Sequence, residues 1–279
     1  MLNKIKVLIL TLYSGENEYE ESRKSVKEQN YEYIEYRCFE NLPNKEAHDR
    51  LYKTIMDESS NFDIFIKLDA DMILEEKDFI LKVVSYFIEN DNVDLLSYTV
   101  LDYFTNTRIW GINCFSNRCK WNVISENLFV DHQPSFNGKK IKIVDENNMV
   151  SHAKNPSFYQ SYMFGFHRAL KVVQKDRKTP LLGHSYGQYN TLNKLIENYI
   201  SNNKEVLKYA ILGAFTVFNK DYTICENKLK YLDVYNEEIK KINQINVKKI
   251  SIISFIDKIG YYRFIKSIIL YIQNKMKNV

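Results

Sequence analysis

The chain has 279 residues, 45% hydrophobic and 27% charged, with a formal net charge of +4. That length suits one large α/β domain with C-terminal additions or two small domains, and the composition excludes wholesale disorder. From Lys248 to Val279, six Lys and Arg263 stand against Asp257 alone, so the tail carries +6 and the rest −2. A generally basic nucleic-acid binder would not concentrate its charge in this way.

Cys38, Cys114, Cys119 and Cys225 match no zinc spacing and are too few for a disulfide scaffold. They point to a reducing cytoplasm. No uncharged apolar stretch reaches the roughly 18–20 residues of a membrane span. The apolar run near the N-terminus is short for a signal-peptide core and no small-residue cleavage site follows it.

Residues 5–12 form a nearly continuous apolar run, the pattern of a strand buried on both faces. A polar stretch, Tyr13 to Glu18, leads into a predicted helix ending near Gln29. A second strand is expected over 33–39 and a helix over 45–58, with Asn44 as N-cap and Ala47, Leu51 and Ile55 on one face. A third strand runs from Asp63 to Leu68 and ends in Asp69-Ala70-Asp71. A helix over 76–90 and a fourth strand over 94–100 follow. This alternation predicts a mostly parallel, Rossmann-like sheet flanked by helices, with ligands beyond the carboxyl ends of the strands. Strand-like pieces lie near 107–115 and 139–145. Helices are expected over 157–174, 187–202, 205–219 and 226–244.

Two carboxylates flanking one small residue after a buried strand can converge on one cation. A hard ion such as Mn²⁺ or Mg²⁺ takes oxygen ligands and leaves positions for phosphate and water. It would neutralise a diphosphate leaving group. A bare Asp-x-Asp also occurs in polar loops that cap a helix, so its place after the third strand of an α/β pattern gives it weight.

The first 75 or so residues resemble the N-terminal half of family 2 glycosyltransferases. The matching pieces are Lys6 to Leu12 with Thr11; Ser22, Ser25, Val26 and Gln29-Asn30-Tyr31; Asn44 to Met56; and Phe65 to Met72. The resemblance implies a GT-A fold, a nucleotide-diphosphate sugar as donor and an Asp-x-Asp that binds metal and diphosphate. It implies Asp71 as metal ligand, Asp69 on the ribose or the metal, and Thr11 to Glu16 along the nucleotide pocket, Thr11 and Tyr13 among them. Leu10 stands where the family often has Pro. Cys38-Phe39-Glu40-Asn41 replaces the usual Asp-Asp-Gly-Ser, so Glu40 or Asn41 would hold the base. The implied division is 1–100 for the nucleotide-sugar half, 101–222 for the acceptor half and 223–279 for a helical extension. The implied reaction is inverting transfer to a carbohydrate or lipid-linked acceptor, in bacterial surface polysaccharide or glycoconjugate synthesis. The alternatives are a sugar-phosphate nucleotidyltransferase, whose glycine-rich basic loop is absent, and a non-catalytic carbohydrate-binding relative.

In the second half, His152 and His184 read as loop residues able to ligate metal or accept a proton; His152 is assigned to catalysis and His184 to the metal. Asp131, Asp145 and Glu146 are candidate general bases, with Asp145 preferred. His48 and His132 read as surface residues, and His167 and Arg168 lie along a helix face. Tyr159, Tyr162, Phe164 and Phe166 read either as a sugar platform or as core. Residues 261–277, placed at 100° intervals, form an amphipathic helix. It would pack on protein or dock on the inner face of a membrane, with anionic lipid attracting its basic charge.

Overall fold

The computed structural model describes residues 4–121, 138–174, 181–220, 231–247 and 250–276. They fall into two compact units. One contains 4–103, 107–121 and 138–156; the other contains 104–106 and the described residues from Ser157 onward.

The first unit is built on strand Val7–Tyr13 (β1), whose first five residues are buried. It pairs in parallel with Ile34–Glu40 (β2) on one side and Ile64–Lys67 (β3) on the other. Because side chains alternate across a strand, Val7 and Ile9 face one layer and Leu8 and Leu10 the other. The first layer holds Val26 of helix Tyr19–Lys27 (α1) and Phe79, Ile80, Val83, Val84 and Phe87 of helix Phe79–Glu89 (α3). The second holds Leu51, Tyr52 and Ile55 of helix Asn44–Asp57 (α2). Burial on both faces is the reason β1 is apolar without alternation. The chain leaves β1 for β2 on one side and returns to β3 on the other. That reversal opens a crevice at the strands' carboxyl ends.

The α/β layout with a mainly helical C-terminal part is the expected one, and the sheet is mixed, with four parallel and three antiparallel pairings among the described strands. Its order is β2-β1-β3-β6 (Thr107–Ser116)-β5 (Leu95–Asp102)-β8 (Val150–His152)-β4 (Met72–Leu74), with β7 (Lys140–Ile143) beside β5. The expected fourth strand is Leu95–Asp102 (β5). Thr107–Ser116 (β6) lies antiparallel between β3 and β5. The cause is the short link from β5 to β6, which can only fold the chain back as a hairpin. Two further strands were not predicted: Met72–Leu74 (β4) and Val150–His152 (β8), the latter in a segment read as loop, paired antiparallel with each other. Lys140–Ile143 (β7) and β8 both run parallel to β5. Asn44 is the first residue of α2, not its cap; Pro43 holds the cap position and no side chain caps the helix.

The second unit is helical where described. Helix Phe158–Val173 (α4) starts at Ser157, whose Oγ accepts from the Gln160 N–H at 3.1 Å. Helices Leu182–Asn202 (α5), Glu205–Asn219 (α6) and Leu232–Glu238 (α7) follow, with a 3₁₀ turn over Ile239–Gln244. Helices Ile252–Ile259 (α8) and Tyr261–Met276 (α9) complete it. The α4–α6 crossing is close because both helices lack a side chain at the contact. A Cβ on Gly165 would sit 1.7 Å from the Ala210 carbonyl oxygen, and one on Gly213 would sit 2.0 Å from that of Tyr162. The helix expected from 187 begins at Leu182, so His184 is helical rather than in a loop. The helix expected over 226–244 is described only from residue 231, where it is α7 and the 3₁₀ turn; α8 was not anticipated.

Candidate active site

The site starts from a tight turn. The Met72 N–H donates to the Asp69 carbonyl at 2.9 Å, closing Asp69-Ala70-Asp71-Met72 between β3 and β4. Ala70 is buried, while the Asp69 and Asp71 side chains stay 35% and 20% exposed. The turn thus anchors through its small residue and leaves both carboxylates reachable.

Strand register supplies the rest. His152 on β8 is bracketed by Met72 on β4 and Asp102 on β5, its direct cross-strand neighbours. Its Nδ1 lies 2.7 Å from an Asp102 carboxylate oxygen, and its Nε2 lies 3.4 Å from Asp71 Oδ2. Asp102 is fully buried. Burial alone would lower the imidazole pKa, but the Asp71 charge and the Asp102 hydrogen bond outweigh it and raise it to about 10. His152 therefore stands as a cation between two carboxylates and holds Asp71 in place. Ala153, next along, adopts φ +53° and donates its N–H to the Asp71 carbonyl at 2.8 Å. A left-handed alanine costs about 1–2 kcal/mol, so this bond helps hold a strained connection beside the site.

Asp69 has its own cation. Lys67, buried at the end of β3, places its Nζ on Asp69 Oδ1. Across the crevice mouth, Glu18 is buried and accepts the Asn155 N–H at 2.8 Å, while Asn17 Nδ2 donates to the Asn155 carbonyl at 3.2 Å. This clasp ties the segment after β1 to the segment after β8.

The nucleotide-pocket candidates gather at the ends of β1 and β2. Thr11 is fully buried, Tyr13 stacks on Tyr19 at 4.1 Å, and Tyr13 pairs with Glu40 across the strands. Asn41 takes φ +55° and donates its N–H to the Tyr13 carbonyl at 2.9 Å. With Thr11 enclosed, the accessible edge consists of Tyr13, Glu40 and Asn41.

Other candidates are placed elsewhere. Asp145 is buried and its carboxylate accepts the Asn147 N–H at 3.0 Å and the Met149 N–H at 2.5 Å. It is committed to folding its own loop. Glu146 is exposed. Asp131 and His132 lie outside the described residues. His48, expected at the surface, is buried with Nδ1 2.8 Å from the Asn44 carbonyl oxygen. His152 is a strand residue, not a loop residue, and it is the histidine at Asp71; His184 belongs to the C-terminal unit. In that unit Tyr162 and Phe166 are fully buried, which makes them core. Arg168 Nη1 donates to Gln188 Oε1 at 2.9 Å. Asp102, Lys67 and Glu18 were not picked out from the sequence. For Asp102 a signal existed: like Asp69, it ends an apolar strand.

Among the described residues, no three His, Cys, Asp or Glu side chains form a group that would hold a metal ion. A preformed cage is not required for Mg²⁺, which is commonly held by one or two carboxylates with substrate phosphates and water. Asp69 and Asp71 on one turn, both partly exposed, fit that kind of site.

No known family profile matches the chain, and no curated protein matches it by sequence. Solved structures that match parts of the chain include A197 from STIV, at 20% identity over 35% of this chain with a TM-score of 0.26. This chain spans 47% of that protein. A cytidylyltransferase from Leptospira borgpetersenii is 12% identical over 73% of this chain and 97% of its own, with a TM-score of 0.35. The mannosyltransferase PcManGT from Pyrobaculum calidifontis, in complex with GDP-Man and Mn²⁺, is 10% identical over 96% of this chain and 87% of its own, at 0.36. At TM-scores this low the likenesses carry no functional weight, and function is argued from this chain's own geometry.

Proposed function

We propose that the protein is a GT-A-type glycosyltransferase that moves a sugar from a nucleotide-diphosphate donor to a carbohydrate or lipid-linked acceptor. One observation carries this reading: the Asp69–Asp71 turn lies at the carboxyl end of β3, and strand register fixes Asp71 through His152 and Asp102. Carboxylates on a turn beyond a parallel strand are suited to a metal-diphosphate.

In this reading Asp71 and Asp69 hold Mn²⁺ or Mg²⁺, and Tyr13, Glu40 and Asn41 border the nucleoside. The ion, when bound, supplies positive charge to the departing diphosphate. His152 donates from Nε2 toward Asp71 and from Nδ1 toward Asp102, which orients Asp71 rather than removing a proton from the acceptor. The Glu18–Asn155 clasp fixes the wall of the crevice. Transfer proceeds with inversion: the acceptor oxygen bonds to the anomeric carbon as the bond from that carbon to the diphosphate breaks, and the hydroxyl proton passes to a general base of the acceptor-binding half. Apart from Asp102 and His152, which support Asp71, residues 101–222 serve the acceptor, and 223–279 form the extension.

The test is a thermal-shift screen of nucleotide-sugars with and without Mn²⁺, since a ligand that binds only the folded state raises its stability. The expected result is stabilisation that needs both components, followed by release of nucleoside diphosphate with an acceptor. Turnover of a nucleoside triphosphate and a sugar phosphate to pyrophosphate would instead make the protein a nucleotidyltransferase.

A further inference from the structure

The C-terminal helix α9 presents two different faces. One is packed: Phe264 and Ser267 are buried, Phe264 meets Phe255 of α8 edge-on at 5.5 Å, and Tyr271 meets Tyr186 of α5 at 5.3 Å. Gly183 and Gly187 of α5 let α9 approach closely; a Cβ on Gly183 would lie 3.3 Å from the Leu270 Cβ. The other face carries Tyr262, Ile265, Ile269, Ile272 and Met276, spaced alternately three and four residues apart and between 38% and 73% exposed. The apolar half seen in the sequence is thus divided, and only part of it is consumed by the fold. An ordered stripe of this kind on a folded surface marks an interaction site rather than scattered exposure.

Charge decides what the stripe meets. From Lys258 to Val279 the chain has no Asp or Glu, but has Lys258, Arg263, Lys266, Lys275 and Lys277. Lys266 lies 5.8 Å from the Tyr262 ring centroid, at the border of the stripe. The three-four spacing would also suit a helix seam with a second copy. Two such faces, however, would set basic side chains against basic side chains with no acid on α9 to pair with them. An anionic lipid surface supplies the missing counter-charge and takes the apolar side chains below it, with tyrosine at the boundary. Among the described residues no helix is long and apolar enough to cross a membrane, so the contact is one of lying on the surface.

We propose that α9 docks the protein on an anionic membrane surface through Tyr262, Ile265, Ile269, Ile272 and Met276, with Lys266 beside the headgroups and Arg263 adding to the basic charge of the helix. The site belongs to the C-terminal unit and does not depend on the reading of the Asp69–Asp71 turn. The experiment is flotation of the full chain with phosphatidylcholine vesicles and with vesicles that also contain phosphatidylglycerol, at low and high salt. The comparison variants are Ile269→Ser/Ile272→Ser and Arg263→Gln/Lys266→Gln, each checked for an unchanged melting temperature. The native chain is expected to float with the anionic vesicles at low salt and to be released at high salt. Each double variant is expected to bind at least tenfold less. Equal flotation with both vesicle types, or undiminished binding by the Ile269→Ser/Ile272→Ser variant, overturns the proposal. So does a native dimer in light scattering that this variant dissociates while the native chain ignores vesicles; the stripe would then be a self-interface.

Discussion

The two units organise polar chemistry in opposite ways. In the α/β unit, charged side chains are drawn inward and set in a row by strand pairing: His152 and Asp102 stand on neighbouring strands, Asp71 sits in the turn just before β4, and the register leaves each a defined partner. In the helical unit the tightest contact is apolar, and α4 and α6 meet backbone to backbone at Gly165 and Gly213. Glu238 is buried there too, but its partners Lys220 and Lys241 are exposed side chains. A sheet edge can place a charge to within a hydrogen bond, because each residue's neighbour is fixed by pairing. A helix pair fixes distance through side-chain size. The first arrangement suits a reaction centre and the second a frame with a surface to offer.

The comparison can be broken at either end. Gly213→Ala should have the largest effect: its Cβ would meet the Tyr162 carbonyl at 2.0 Å, an overlap the backbone must relieve. Overpacking of this kind costs about 3 kcal/mol, read as a fall in chemical-denaturation midpoint. An unchanged midpoint would mean the helices are not held by contact distance. Asp71→Ala should leave the fold intact and lower Mn²⁺-dependent nucleotide-sugar affinity by about 100-fold, measured by calorimetry. Retained affinity would remove the turn from the site. Asp102→Asn should weaken the same binding by about 10-fold, because it acts only through His152 and Asp71. A loss as large as that of Asp71→Ala would show that register alone does not hold the row. Asp145→Ala should cost about 1–3 kcal/mol through two backbone N–H groups left without their acceptor. Its nucleotide affinity should be unchanged; lost turnover at native stability would restore it as the catalytic base.

Much of the frame was legible because β1 and β3 are buried on both faces and α2 and α3 carry apolar stripes. The Asp69–Asp71 turn stood out for the same reason, as carboxylates ending an apolar run. What escaped was set by non-local pairing. Val150-Ser151-His152 is too short and too polar to read as a strand, and becomes one because β4 and β5 accept it on either side. The antiparallel β6 reads as a strand, but its position between β3 and β5 comes from a hairpin link whose direction carries no periodic signal. Asp145 resembled a base because its residue type fits; only its two backbone donors show that it is occupied. In the tail, periodicity found the amphipathic helix. It could not tell that the glycines of α5 would take one side of that helix and leave the other.

The pairing of Lys67 with Asp69 and of His152 with Asp71 and Asp102 bears on the order of events. In the proposed reaction a nucleoside diphosphate approaches a turn that carries two carboxylates, and without a divalent ion the like charges repel in a place of reduced dielectric. Nucleotide titrated into chelator-treated protein should therefore give less heat than with Mn²⁺ present. The two resident cations keep the carboxylates poised until the ion arrives.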